Sequence, residues 1–180
     1  VDHPVVAVAH GLRADAGEVR WNGTPTTDLP RRTWGYLPEE RGLYPRMAVL
    51  EQLVYFATLY GQPPDVARRE ARNWLTRFRI PDYADRRAEE LSKGNQQKVQ
   101  FISAILHTPE FAVLDEPFSG LDPINQEAFI EIIRELRDQG MTIVLCAHQM
   151  DLVERLADRV LLMNSGRRVL YGTLIQIRDE

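Results

Sequence analysis

The stretch Phe111-Ala112-Val113-Leu114-Asp115-Glu116-Pro117-Phe118-Ser119-Gly120-Leu121-Asp122-Pro123 decides the fold. Four apolar residues without polar alternation predict a strand covered on both faces, as in a parallel sheet. Two carboxylates at its end then lie at the carboxyl edge, where open α/β sheets bind ligands. Asp122-Pro123 is a helix start, and apolar spacing carries that helix from Ile124 to Gln139, with Gly140 as its C-cap. A second strand follows over Thr142 to Ala147, expected to be buried. A helix over Met150 to Ala157 and a strand over Arg159 to Met163 continue the alternation, which is that of a mostly parallel α/β sheet.

Upstream of residue 111 the pattern changes. Leu50, Leu53, Phe56, Ala57 and Tyr60 recur at helical spacing between Met47 and Tyr60, and Gly61 with Pro63-Pro64 stops the run. A second amphipathic helix is expected from Pro64 to Phe78, and another from Gly94 to His107. Residues 47–107 therefore read as a helical insert between a first sheet region, 1–46, and the α/β core, 108–180. In the first region Val5 to Ala9 reads as a strand, and Gly17 to Trp21 before Asn22-Gly23 as one arm of a hairpin. Trp34 to Leu37 reads as a short strand, and Pro38 to Pro45 as a loop forced by Pro and Gly.

Composition narrows the function classes. Of 180 residues, 44% are hydrophobic and 27% charged, which is ordinary globular usage. A net charge of -4 and no interleaved basic and aromatic stretch argue against nucleic acid as a partner. The longest apolar runs fall far short of the roughly 20 residues a membrane helix needs. One cysteine, Cys146, excludes an internal disulfide, and the start shows no basic n-region; the expectation is a cytoplasmic protein.

The motif Leu91-Ser92-Lys93-Gly94-Asn95-Gln96-Gln97-Lys98-Val99 places a hydroxyl and a glycine at a helix N-terminus. There backbone amides and the dipole favour phosphate, and Ser92 also serves as N-cap. With residues 111–123 and His148 after the next strand, this order of motifs resembles the nucleotide-binding subunits of ABC transporters, from about Gly17 to Thr173. The resemblance implies a RecA-like P-loop NTPase core with an inserted helical subdomain, using ATP and Mg²⁺. By that resemblance Asp115 holds the metal, Glu116 polarises the attacking water and His148 senses the γ-phosphate. Glu39 stands where the family's Q-loop has glutamine, near metal and nucleotide. Ser92, Lys93, Gly94, Asn95 and Gln96 form the signature and Asp122 the acid of the D-loop; all six face a nucleotide held by a second subunit in a head-to-tail pair. A permease subunit is implied as a partner through the Q-loop and helical subdomain, with Leu43, Tyr44 and Met47 as contacts. Each of these three equally reads as internal packing. The wording Pro38 to Pro45 together with the signature resembles the ABC-2 branch of sodium and drug exporters, peripheral on the cytoplasmic face of the membrane.

One family element has no counterpart here. No G-x-x-x-x-G-K-[ST] occurs in the sequence, and the only lysines, Lys93 and Lys98, both lie in the signature region. The resemblance puts that loop shortly before Asp15 to Val19, where Val1 to Ala14 stand, so the expectation is a core truncated at its N-terminal part and inactive alone. Val5 to Ala9 is expected to take the place of the P-loop strand. Two alternatives remain open: a non-catalytic subunit that completes a partner's ATP site, and an ABC ATPase outside transport.

Overall fold

A computed structural model describes residues 16–40 and 42–178, and the strand expected over Val5 to Ala9 lies outside them. The chain divides into two compact units: Leu29–Cys146, and a second joining residues up to Asp28 with those from Ala147.

In the first unit β3 (Trp34–Leu37), β4 (Phe111–Asp115) and β5 (Thr142–Cys146) form a parallel sheet in the order β3-β4-β5. Leu37 pairs with Leu114, and Asp115 with Cys146. Every residue of β4 is buried, as its unbroken apolar run predicts. The expectation of a buried β5 is corrected: its residues are half-buried or exposed, and Val144 is 44% accessible. An apolar run reports the strand but not what covers it.

The helical insert packs on this sheet. Helix α1 (Val49–Leu59) buries Val49, Leu50, Leu53, Val54 and Ala57. Helix α2 (Pro64–Arg77) opens on a proline at its first turn and buries the small stripe Ala67, Ala71 and Leu75, which permits close approach to α1. Helix α3 (Lys93–Ile105) and α4 (Pro123–Asp138) complete the unit. Phe78, Phe101, Phe118 and Phe129 meet at ring-centroid distances of 5.0 to 6.4 Å, joining the end of α2, α3, the turn after β4, and α4. Burying each such ring stabilises the fold by about 1.5–3 kcal/mol. Lys98 is drawn into this interior, where its Nζ donates to Phe78 O at 3.2 Å and burial holds its pKa below the usual lysine range.

At the foot of α3, His107 is buried, stacks on Tyr60 at 3.9 Å, and holds Trp34 O with Nε2 at 3.0 Å. Since that partner is a carbonyl, Nε2 carries the proton, and buried Nδ1 has no partner among the described residues. Burial lowers the His107 pKa, more than the Trp34 carbonyl raises it. A depressed folded pKa gives stability that is present above the unfolded value of 6.5 and lost as pH falls below it. Urea midpoints are therefore expected to decline below about pH 6.5, and His107→Phe, which cannot titrate, to flatten that part of the profile. Equal slopes in the two proteins would rule out His107 as the source.

In the second unit β1 (Arg20–Trp21) and β2 (Thr24–Pro25) form a hairpin through Asn22 and Gly23, both at positive φ (47° and 84°) as a type I′ turn requires. Helix α5 (Met150–Leu156) precedes β6 (Val160–Asn164). Among the described residues β6 pairs antiparallel with a further strand that the sequence reading does not name, β7 (Arg167–Gly172). Its cause is a second turn of the same kind, Ser165 and Gly166 at φ 50° and 73°. A short helix α6 (Leu174–Arg178) ends the described chain.

Candidate functional site

Because β3 and β4 are adjacent and parallel, Leu37 and Leu114 release the chain at the same edge of the sheet. Glu39 and Glu116 each lie two residues beyond that pair. Asp115 closes β4 and is 5% accessible, whereas Glu39 is exposed. Tyr36 records the charge that gathers here: burial first, then Asp115, Cys146 and Glu39, push its phenol above the ordinary tyrosine range. The Cys146 thiol is pushed up to about 11 by burial and by Asp115 and Glu116, so it stays protonated at neutral pH. Strands β3 and β4 thus bring carboxylates to one small region, beside the Cys146 thiol that ends β5.

Glu116 leaves the strand in the left-handed region, at φ 46°. A non-glycine residue there stores about 1–3 kcal/mol of strain and persists only where its surroundings fix it. Its N–H donates to Cys146 O at 2.9 Å, and its carbonyl accepts from Ser119 N at 3.1 Å. Gln97 Nε2, from α3, donates to Glu116 O at 3.3 Å and to Pro117 O at 3.1 Å.

The N-terminus of α3 comes from the signature stretch. Ser92 is its N-cap, accepting from Asn95 N at 3.3 Å, and Lys93 beside it is exposed. A Cβ on Gly94 would lie 3.3 Å from Gly120 O, so the glycine lets this helix end lie against the loop that follows β4. Gln96 turns inward, its Nε2 donating to Ala88 O at 2.9 Å and Leu91 O at 3.2 Å. Asp122 caps α4, with Oδ1 accepting from Asn125 N at 2.9 Å and Oδ2 from Asn125 Nδ2 at 2.6 Å. Those bonds, the backbone one foremost, hold its carboxyl below the usual range.

No group of three or more His, Cys, Asp or Glu that could hold a metal ion occurs among the described residues. A buried Asp115 at a strand end suits a hard cation such as Mg²⁺, which takes one or two carboxylates and fills its shell with phosphate oxygens and water. It does not suit a cation that needs a cage of protein ligands.

The ABC transporter family profile matches residues 5–119. This chain belongs to the ABC transporter family. It is 48% identical over 167 residues to the ABC transporter ATP-binding protein YhaQ of Bacillus subtilis (strain 168), covering 93% of this chain and 56% of that one. It is 37% identical over 177 residues to the ABC transporter ATP-binding protein NatA of the same organism, covering 96% and 72%. A solved ATP-binding subunit of an ABC transporter superposes with a TM-score of 0.88 at 31% identity, over 97% of this chain and 74% of that one. The chain spans 56% and 62% of the first two curated relatives it matches.

The ABC core therefore collects Glu39, Asp115 and Glu116 at one sheet edge, with Ser92 to Gln96 and Asp122 on the same compact unit. His148 is exposed and belongs to the other unit, just ahead of α5. The sequence reading missed Tyr36, Gln97 and Gln100. Gln100 Nε2 donates to Pro38 O and Glu40 O, each at 3.1 Å. A polar pair three apart on the buried side of α3, where helical periodicity asks for apolar residues, was the available signal.

Proposed function

We propose that this ABC transporter chain is the nucleotide-handling part of a transporter subunit that couples ATP binding and hydrolysis to movement of a solute across a membrane. The observation that carries this reading is the convergence of Glu39, Asp115 and Glu116 at the carboxyl ends of two adjacent parallel strands, under a helix that also begins at the signature. Asp115 would hold Mg²⁺, and the ion, when bound, neutralises phosphate charge. Glu116 would orient the attacking water and take its proton, and its strained backbone is the local mark of that task. His148 would donate to the γ-phosphate. Ser92, Lys93, Gly94, Asn95, Gln96 and Asp122 would face a nucleotide held by a second subunit paired head to tail.

The resemblance to the ABC-2 branch supports an exporter whose nucleotide-handling part lies on the cytoplasmic face of the membrane. Among the described residues no helix is long and apolar enough to cross a membrane. In this reading a permease subunit forms the channel. The segment before α1 supplies a surface for it. Gln52, fully buried, accepts from Tyr44 N at 3.3 Å and donates to Met47 O at 3.2 Å, fixing that segment on α1. This leaves Tyr44 50% and Tyr55 42% accessible in a cluster with Phe56. Aromatic rings held in this way suit helix-in-groove docking.

These 180 residues hold no G-x-x-x-x-G-K-[ST] cradle, whose lysine and amides supply most phosphate binding. Isothermal titration of the 180-residue chain with Mg-ATP is expected to give a dissociation constant near about 1 mM, roughly -4 kcal/mol, with no measurable hydrolysis. Micromolar binding would refute this account of the chain alone, and no binding at about 10 mM would refute the nucleotide role itself.

A further inference from the structure

Gln97 and Gln100 are 4% and 3% accessible and lie three residues apart, on one face of α3. Methionine or leucine would fill such positions without burying an amide. Gln100 goes further, since its Oε1 is buried and has no partner among the described residues. A buried acceptor without a partner opposes folding, so packing alone does not account for this side chain. What glutamine adds is its pair of N–H donors, and both reach the carbonyls of Pro38 and Glu40, the residues on either side of Glu39. A flipped amide would set Oε1 against two carbonyl oxygens, so the orientation is fixed. Gln97 does the same for the other loop, gripping Glu116 O and Pro117 O.

We infer that Gln100 is a positioning residue that ties the Glu39 loop to the helix beginning at Ser92, while Gln97 ties the Glu116 turn to the same helix. Both carboxylates are thereby referred to one rigid element. Its signature end lies about 12 Å from Gln100, eight residues at the helical rise. Glu39 is held through its neighbours' carbonyls, which leaves its own side chain exposed and available. A displacement of α3 at Ser92 is carried to both loops, and a loop that shifts toward nucleotide pulls on the same helix. The inference rests on the nucleotide role proposed for Glu39 and Glu116.

The test is backbone ¹⁵N relaxation on the full 180-residue chain, with Gln100→Met and Gln97→Met as near-isosteric variants that remove the donors and add no charge. Gln100→Met is expected to lower the order parameters of the Glu39 and Glu40 amides from about 0.85 to below about 0.6, leaving those of Ser119 and Leu121 unchanged. Gln97→Met is expected to do the reverse. A merely structural role predicts that either variant loosens both loops alike, and that result, or no change at Glu39 and Glu40, overturns the inference. The unsubstituted chain offers a check free of folding effects: the Gln100 carboxamide protons are expected to exchange at least about tenfold more slowly than those of exposed Gln139. Equal exchange rates would also overturn it. Titration of Mg-ATP to about 10 mM separates the two layers. If the Glu39 and Asp115 signals fail to move, the assignment to a nucleotide reaction falls, whereas a crossed relaxation pattern still establishes the grip itself.

Discussion

In a pair formed with a subunit that carries an intact phosphate loop, Ser92→Asp in this chain is expected to reduce ATP turnover by about 10²–10³-fold. Glu116→Gln in the same chain is expected to leave turnover within about twofold. The asymmetry follows from where each residue acts. Ser92 stands at the N-terminus of α3, where its hydroxyl already caps the helix by accepting from Asn95 N. Aspartate is as good an N-cap as serine and gains from the helix dipole, so the variant should be no less stable. Yet in the proposed head-to-tail pair a carboxylate there would meet the γ-phosphate of the partner's nucleotide as a like charge, and the donor would be lost. Glu116, by contrast, would in the same proposal serve a nucleotide that these 180 residues hold poorly, so removing its charge would leave little turnover to remove. Phosphate release by the mixed pair measures both, with melting temperatures to show that Ser92→Asp folds. Full turnover in Ser92→Asp would exclude the signature from the partner's site. A large loss in Glu116→Gln would mean that this chain's own acid works on a bound nucleotide.

How much of this was legible in the sequence depends on the range of the interaction concerned. Strand β4 and the acids that end it follow from a local apolar run, and α1 to α4 follow from periodicity with Pro63-Pro64, Ser92 and Asp122 as stops and caps. These lie within two residues of their expected bounds because each signal is carried by neighbours in the chain. The grips of Gln97 and Gln100 join residues 19 to 62 positions apart, and periodicity gives a buried face without naming the loop that meets it. Strand β7 was missed although Asn164-Ser165-Gly166 is a turn signal, because Arg167-Arg168 opens the return strand with two charges. His148 follows a readable strand, but the strand end falls at the border between two units, and chain order does not carry across it.

Gly35→Ala is expected to destabilise the chain by about 3 kcal/mol, at the upper end of what overpacking costs. Two effects oppose each other at this position. Replacing glycine by alanine removes backbone freedom from the unfolded chain, which by itself stabilises by about 0.4–1 kcal/mol where the native conformation allows a side chain. Gly35 has no left-handed φ, so the conformation does allow one. The space does not. An ideal Cβ would lie 2.0 Å from Ala104 O, 3.1 Å from Ala104 C and 3.2 Å from Pro109 Cγ. The first two atoms are backbone of α3, which cannot swing aside as a side-chain tip can. Either β3 must leave its pairing with β4 or α3 must move away from the sheet, and both elements position the site. The steric term therefore wins, and the thermal midpoint is expected to fall by roughly 10 °C for a chain of this size. Gly42→Ala is the matched control: no atom lies within 4 Å of its would-be Cβ and its φ is not left-handed, so only the unfolded-state effect remains. Urea unfolding of the two variants should move in opposite directions, Gly35→Ala downward and Gly42→Ala level or slightly upward. A Gly35→Ala chain as stable as the unsubstituted protein would show that α3 does not rest directly on β3. The shared reference that Gln97 and Gln100 give to Glu116 and Glu39 would then lose its foundation.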